Sequence, residues 1–131
     1  MKAELLKTSL SNALRKHGGP FTSGRCGRIT GCGGPNGAHG WCLACALYKQ
    51  AAFRRDLPRG DNKKWLSLEL LPSIADSYDL SLAELASMLR GWDGLDRVEF
   101  VHEGKILKCN ENFYQLGRRL ARDFVAKEDN L

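Results

Sequence analysis

Nowhere does the chain run apolar for the roughly 18 consecutive residues that a membrane-spanning helix needs, so no membrane partner is expected. Its opening, Met1-Lys2-Ala3-Glu4, is charged and leads into no hydrophobic core of the secretory kind, which makes the expected location cytoplasmic or nuclear, that is, intracellular and not secreted. No segment repeats another and no low-complexity tail stands out. Chain is limited as well. The 131 residues allow one compact domain or two small ones sharing a surface, too little for a large cofactor fold with a separate substrate domain. With 43% hydrophobic and 27% charged residues the composition is that of an ordinary globular protein, and the chain is expected to fold.

Acidic side chains are scarce in one half only. Residues 1–64 hold 12 Lys/Arg against 3 Asp/Glu, a balance of +9, while residues 65–131 hold 8 against 12, a balance of −4; together they give the net +5. A half this basic attracts polyanions, because each phosphate it neutralises releases condensed counterions; the competing reading is a solvated basic surface that docks on the acidic half.

The cysteines are clustered too. Cys26, Cys32, Cys42 and Cys45 lie within 20 residues, and Cys109 stands apart as a small buried hydrophobe at the end of a strand. In a reducing compartment thiols stay available for metal, and zinc closes a tetrahedron of thiolate or imidazole ligands without needing a large core. The segment needs such a staple: residues 18–40 carry nine glycines in 23 positions and almost nothing apolar to bury. A structural zinc contributes on the order of 10 kcal/mol of folding free energy, enough to order such a loop. The expected cofactor is therefore Zn2+, held by Cys26, Cys32, Cys42 and Cys45, with His39 between the pairs as an alternative ligand. A chain without metal stays open, whereas a redox Cys42-x2-Cys45 lacks the α/β surroundings it normally has.

Cys45 leads into Ala46-Leu47-Tyr48-Lys49-Gln50-Ala51-Ala52-Phe53-Arg54-Arg55, good helix formers with no breaker until Pro58, so the second pair sits at a helix N-terminus whose dipole favours thiolates. A glycine-bounded first knuckle, a loop, and a second knuckle opening a helix is a treble-clef layout. In particular, Cys42-Leu43-Ala44-Cys45-Ala46-Leu47-Tyr48-Lys49 resembles the second knuckle and helix of GATA-type zinc fingers, which read Cys-Asn-Ala-Cys-Gly-Leu-Tyr there. Leu43 replaces the family's Asn and Ala46 its Gly, and the first pair is separated by five residues where the family has two. The resemblance implies a similar metal fold followed by a basic helix and tail, with Lys49, Arg54, Arg55 and Arg59 in the corresponding region.

Enzymatic activity is not expected. A treble-clef nuclease of the HNH type needs a histidine base and further ligands for a catalytic metal; only His39, with Asn36, lies inside the cluster, and no acidic residue lies between Cys32 and Cys42. The glycine run 31–37 lacks the Gly-Lys-Ser/Thr ending and the preceding strand of a phosphate loop.

The rest reads as scaffold. Ala3, Leu6, Leu10, Ala13 and Leu14 recur at helical spacing until Gly18-Gly19-Pro20. A basic linker at 59–64 marks the expected boundary between a basic N-terminal helix with its zinc module (1–64) and an acidic helical region with a β-hairpin (65–131). Residues 65–78 look helical with Pro72 interrupting them. Ser81 and Glu84 form a capping box for a helix ending near Gly91. Residues 98–101 and 105–109 form a hairpin around Gly104, and a last helix starts near Asn112 with Phe113, Leu116, Leu120 and Phe124 as its core face. Arg118, Arg119 and Arg122 on it complement the dipole at its C-terminal end.

The expected fold is thus mainly α with a small β-hairpin: a treble-clef-like zinc module followed by a helical half of winged-helix-like order. The expected function is that of a small zinc-binding regulatory or accessory protein, as in transcription regulation. Its nucleic-acid partner, DNA ahead of RNA, would be held at Arg28, Lys49, Arg54, Arg55, Arg59, Lys63 and Lys64. A protein partner or a second copy would bind the acidic half through Trp65, Trp92 or Tyr78, where exposed. The alternative is a zinc-stabilised interaction module or inhibitor that binds another protein and does not touch nucleic acid.

Overall fold

The computed structural model describes residues 2–22, 42–54, 71–97, 99–102 and 104–125. Among them the fold is mainly helical, with α1 (Lys2–His17), α2 (Leu43–Arg54), α3 (Leu71–Ser77), α4 (Leu82–Asp93), β1 (Phe100–His102), β2 (Lys105–Leu107) and α5 (Glu111–Phe124). The strands form an antiparallel hairpin in which Phe100 pairs with Leu107, Val101 with Ile106 and His102 with Lys105. Gly104 takes the turn at φ +77°, a region that Cβ-bearing residues rarely adopt.

Local chemistry sets most element ends. α1 closes at Gly18 and Gly19, both at positive φ, ahead of Pro20. Pro72 is the second residue of α3, a first-turn position where a missing N–H costs no hydrogen bond; residues 65–70, on which the expected interruption of a 65–78 helix turns, lie outside the described residues. The Ser81–Glu84 capping box is present, with the Ser81 hydroxyl accepting from the Glu84 N–H at 3.1 Å and the Glu84 carboxylate accepting from the Ser81 N–H at 2.8 Å. α4 runs through Gly91 to Asp93 and ends on Gly94 at φ +72°. The last helix is capped by Asn110, two residues earlier than expected, its side chain accepting from the Phe113 N–H at 3.2 Å.

Gly91 does not stop α4 because it is needed for packing. A Cβ there would lie 2.0 Å from the Tyr114 carbonyl oxygen, and one at Gly117 would lie 2.0 Å from that of Met88. Two glycines on facing helices therefore let the backbones of α4 and α5 touch. Ser87, fully buried, fastens the same pair: its hydroxyl donates to the Ala83 carbonyl and accepts from the Asn110 N–H at 2.8 Å, where α5 begins.

Around this pair the core gathers Leu10 and Leu14 of α1, Leu43 and Leu47 of α2, Ile74 of α3, Leu85, Met88 and Trp92 of α4, and Phe113, Leu116 and Leu120 of α5. The core therefore draws on both charge halves, and the 64/65 boundary lies outside the described residues. Phe21 crosses between the halves: its ring meets Trp92 and Phe124 edge-on at centroid distances of 6.1 and 5.9 Å, and its backbone bridges Val125 in parallel.

Candidate functional site

Cys42 is the N-cap of α2, its carbonyl accepting the Ala46 N–H at 3.1 Å, and Cys45 falls three residues on, in the same first turn. Both cysteines are buried, at 3% and 0% exposure. The first turn of α2 carries no acidic residue. As two ligands of a closed tetrahedral site the pair fits zinc chemistry: sulfur donors, helical spacing and exclusion of water.

The other ligand candidates, Cys26, Cys32 and His39, lie outside the described residues, as do the phosphate-contact candidates Arg28, Arg55, Arg59, Lys63 and Lys64 and the partner-contact candidate Trp65. Among the described residues no group of three or more His, Cys, Asp or Glu comes together that could hold a metal ion. Lys49 is exposed one turn beyond Cys45, and Arg54 is the last residue of α2. Cys109 is half-buried just beyond β2.

α2 is gripped on the side away from Lys49. Leu47 is fully buried and its carbonyl accepts from the Tyr78 hydroxyl at 3.0 Å, which ties α2 to the end of α3. The end of α1 comes close as well, a proximity with no counterpart in any local sequence pattern. Burial lowers the His17 imidazole pKa below its ordinary value, and the nearby Lys49 charge lowers it further. Neutral His17 accepts the Gly19 N–H at Nδ1, 3.2 Å away, and its ring lies 5.3 Å from that of Phe21.

Two expected contact residues in the acidic half are interior. Trp92 is 1% exposed and its indole N–H donates to the Thr22 carbonyl at 2.8 Å, and Tyr78 is buried against α2. Neither offers a partner surface. Helix α4, the position a DNA-reading helix would occupy in a winged-helix order, has every residue buried or half-buried, and Lys2 of α1 closes on its first turn through Glu84 at 2.8 Å. Burial pushes the Glu84 carboxyl up, but the Lys2 ammonium and the Ser81 hydrogen bonds outweigh it and hold the group below the usual carboxylate range. Among the described residues no helix is long and apolar enough to cross a membrane. Comparisons with protein-family models, characterised proteins and solved structures give no match.

Proposed function

We propose that this is a small zinc-binding regulatory or accessory protein that holds nucleic acid, DNA ahead of RNA, by its phosphates through the basic N-terminal half, and a protein partner or a second copy through the acidic half. In this reading Cys42 and Cys45 are the second knuckle of a treble-clef module of the GATA-like kind. Cys26 and Cys32 complete the zinc tetrahedron, with His39 as the alternative fourth ligand. The observation that carries it is the placement of Cys42 and Cys45, buried together on the first turn of a helix that has no other anion there. Lys49 at the exposed side of that helix begins the row of phosphate contacts continued by Arg54, Arg55, Arg59, Lys63 and Lys64, with Arg28 on the first knuckle. Because α4 is enclosed, the winged-helix-like order of α3, α4, hairpin and α5 serves as scaffold, and phosphates are held without base reading by α4. Contact with a protein falls to exposed apolar residues such as Leu95 and Ile106, which take the place of the buried Trp92 and Tyr78.

Two measurements test this reading. Elemental analysis should find one zinc per chain, and the Cys42→Ser variant should lose it. Titration of labelled duplex DNA at several salt concentrations should give a log–log slope of about −0.9 per phosphate contact, flattened by Arg54→Glu with Arg55→Glu. Absence of metal, or of binding at low salt, would refute the corresponding half.

A further inference from the structure

The α4–α5 pair leaves an open groove of about 300 Å³ where α4 ends. Its origin is geometric. Gly91 brings the two backbones together, α4 ends on Gly94 at φ +72°, and the next residues run back against Tyr114 and Glu111 near the start of α5, which leaves the small Ala121 between Arg118, Arg122 and Val125 facing the end of α4. Trp92 also lines the groove. The α5 wall carries Arg118 and Arg122, both exposed. No acidic residue is among the groove's described lining.

Neither arginine makes an ion pair or hydrogen bond among the described residues, whereas Arg97, also beside α5, is held by Glu111 and stacks 4.1 Å from the Tyr114 ring centre. The helix dipole accounts for Arg122, which is in the last turn of α5. It does not account for Arg118, one turn further back, because that attraction fades within the final turn. One helical turn places the two guanidinium stems about 6 Å apart along the axis, a spacing suited to a chain of regularly repeated charges. Arg119 is exposed beside them, and at the end of α1 Arg15 reaches over the Phe124 ring at 5.8 Å, with Lys16 exposed next to it. The basic half thus meets this end of α5.

We infer that the groove holds the sugar-phosphate backbone of a nucleic acid, Arg118 and Arg122 each taking one phosphate. For its ligand class this rests on the proposed function, and it extends the contact surface into the half whose net charge is negative. A phosphodiester chain suits the groove better than an acidic peptide does. A peptide would bring amides and carbonyls that need partners, and the peptide groups at the end of α4 are already engaged, Gly94 and Leu95 donating to the Gly91 and Arg90 carbonyls at 3.2 and 3.0 Å. A phosphate needs only donors, which guanidinium supplies in pairs.

The experiment compares four proteins by anisotropy of labelled duplex DNA across a salt series: the wild type, Arg118→Gln with Arg122→Gln, Arg118→Lys with Arg122→Lys, and Arg54→Glu with Arg55→Glu. Loss of two contacts should reduce the magnitude of the log–log salt slope by about 1.8, whereas the lysine pair, which keeps both charges, should hold the wild-type slope. Thermal melting of the exposed-site variants should match that of the wild type. An unchanged slope in the glutamine pair, with binding still sensitive to Arg54 and Arg55, overturns the groove and leaves the proposed function standing. A reduced slope in the glutamine pair with no effect at Arg54 and Arg55 supports the groove and overturns the N-terminal contacts. Binding of a labelled polyglutamate peptide but of no DNA at low salt overturns both in favour of an acidic protein segment.

Discussion

A methyl group at Gly117 tests the helix crossing on which the C-terminal half is built. The Cβ of Gly117→Ala would lie 2.0 Å from the Met88 carbonyl oxygen and 2.9 Å from both the Met88 carbonyl carbon and the Trp92 nitrogen. An acceptable carbon–oxygen approach is about 3.3 Å, so more than 1 Å must be found. The obstructing atoms are backbone within a helix and cannot rotate aside, so α4 and α5 must separate. Leu85, Met88 and Trp92 on one side and Phe113, Leu116 and Leu120 on the other are buried across that contact. A gap approaching 1 Å forfeits about a quarter to a half of each dispersion contact, and overpacking of this kind costs about 1–3 kcal/mol or more. Against it stands the better helix propensity of alanine, about 1 kcal/mol. A required shift of more than 1 Å lies at the upper end of that range, about 3 kcal/mol, so the crossing term wins: we expect a net loss of about 2 kcal/mol and a Tm lower by roughly 5–10 °C, read by far-UV circular dichroism and by urea denaturation. Gly91→Ala, 2.0 Å from the Tyr114 oxygen, should cost a similar amount. The double variant should cost less than the two together, because helices already forced apart accommodate a second methyl more easily. A Gly117→Ala protein as stable as the wild type would refute this packing, since only the propensity gain would then be left.

Ser87→Ala removes the acceptor of the Asn110 N–H from a buried position, and equilibrium denaturation should show a loss of about 1–3 kcal/mol, with Ser87→Thr losing less if the hydroxyl is what counts. Ser81→Ala removes the N-terminal cap of α4 and should cost about 1 kcal/mol, visible as faster amide exchange at Glu84. His17 has its pKa lowered in the fold, so the unfolded chain takes up the proton first as pH falls: the stability it contributes is complete above about 6.5 and declines below that value towards the folded pKa. Urea midpoints at pH 7.5 and 5.5 should therefore differ more in the wild type than in His17→Asn; an equal difference would contradict the assignment. In the zinc reading, complete chelation removes on the order of 10 kcal/mol, comparable with the whole stability of a domain, and the near-ultraviolet dichroism of the buried Trp92 should collapse with it. Retention of that signal after chelation would show that the fold does not depend on metal.

Much of the helical order was legible because its signals are local. The 3.6-residue recurrence of Leu6, Leu10 and Leu14, the Ser81–Glu84 box, and the glycine turn between two strands each reports on neighbours a few residues away, and each corresponds to an element in the structure. Gly91 has a local meaning, helix breaker, that yields to position. A glycine against another helix gains a close approach, and α4 continues past it to Asp93. Trp92 and Tyr78 were candidates for exposure because the sequence does not say which face of a helix has a neighbour; their polar atoms bond to Thr22 and Leu47, 70 and 31 residues away. At the candidate site, the helix-opening position of Cys42 and Cys45 could be read directly, while the approach of His17 to Lys49 joins two helices that share no sequence pattern.

Charge and burial divide this chain differently, and the difference bears on how it would work. The basic and acidic halves are opposites in sequence, yet Phe21, beyond the end of α1, inserts between Trp92 of α4 and Phe124 of α5, and Thr22 accepts the Trp92 indole. Cys45 lies in the same core as Leu85 and Leu120. Surface charge is adjusted residue by residue at little cost in stability, whereas a core must close around whatever apolar groups the elements bring, wherever they lie along the chain. In the proposed function a ligand of the basic half would therefore not be confined to the residues that make that half basic: α5, from the acidic half, is carried by this core to the end of α1, where Arg15 stands over Phe124. Its own arginines, Arg118, Arg119 and Arg122, occupy the exposed side of that helix, which is why the net charge of a stretch of sequence is a poor guide to which residues a polyanion would meet.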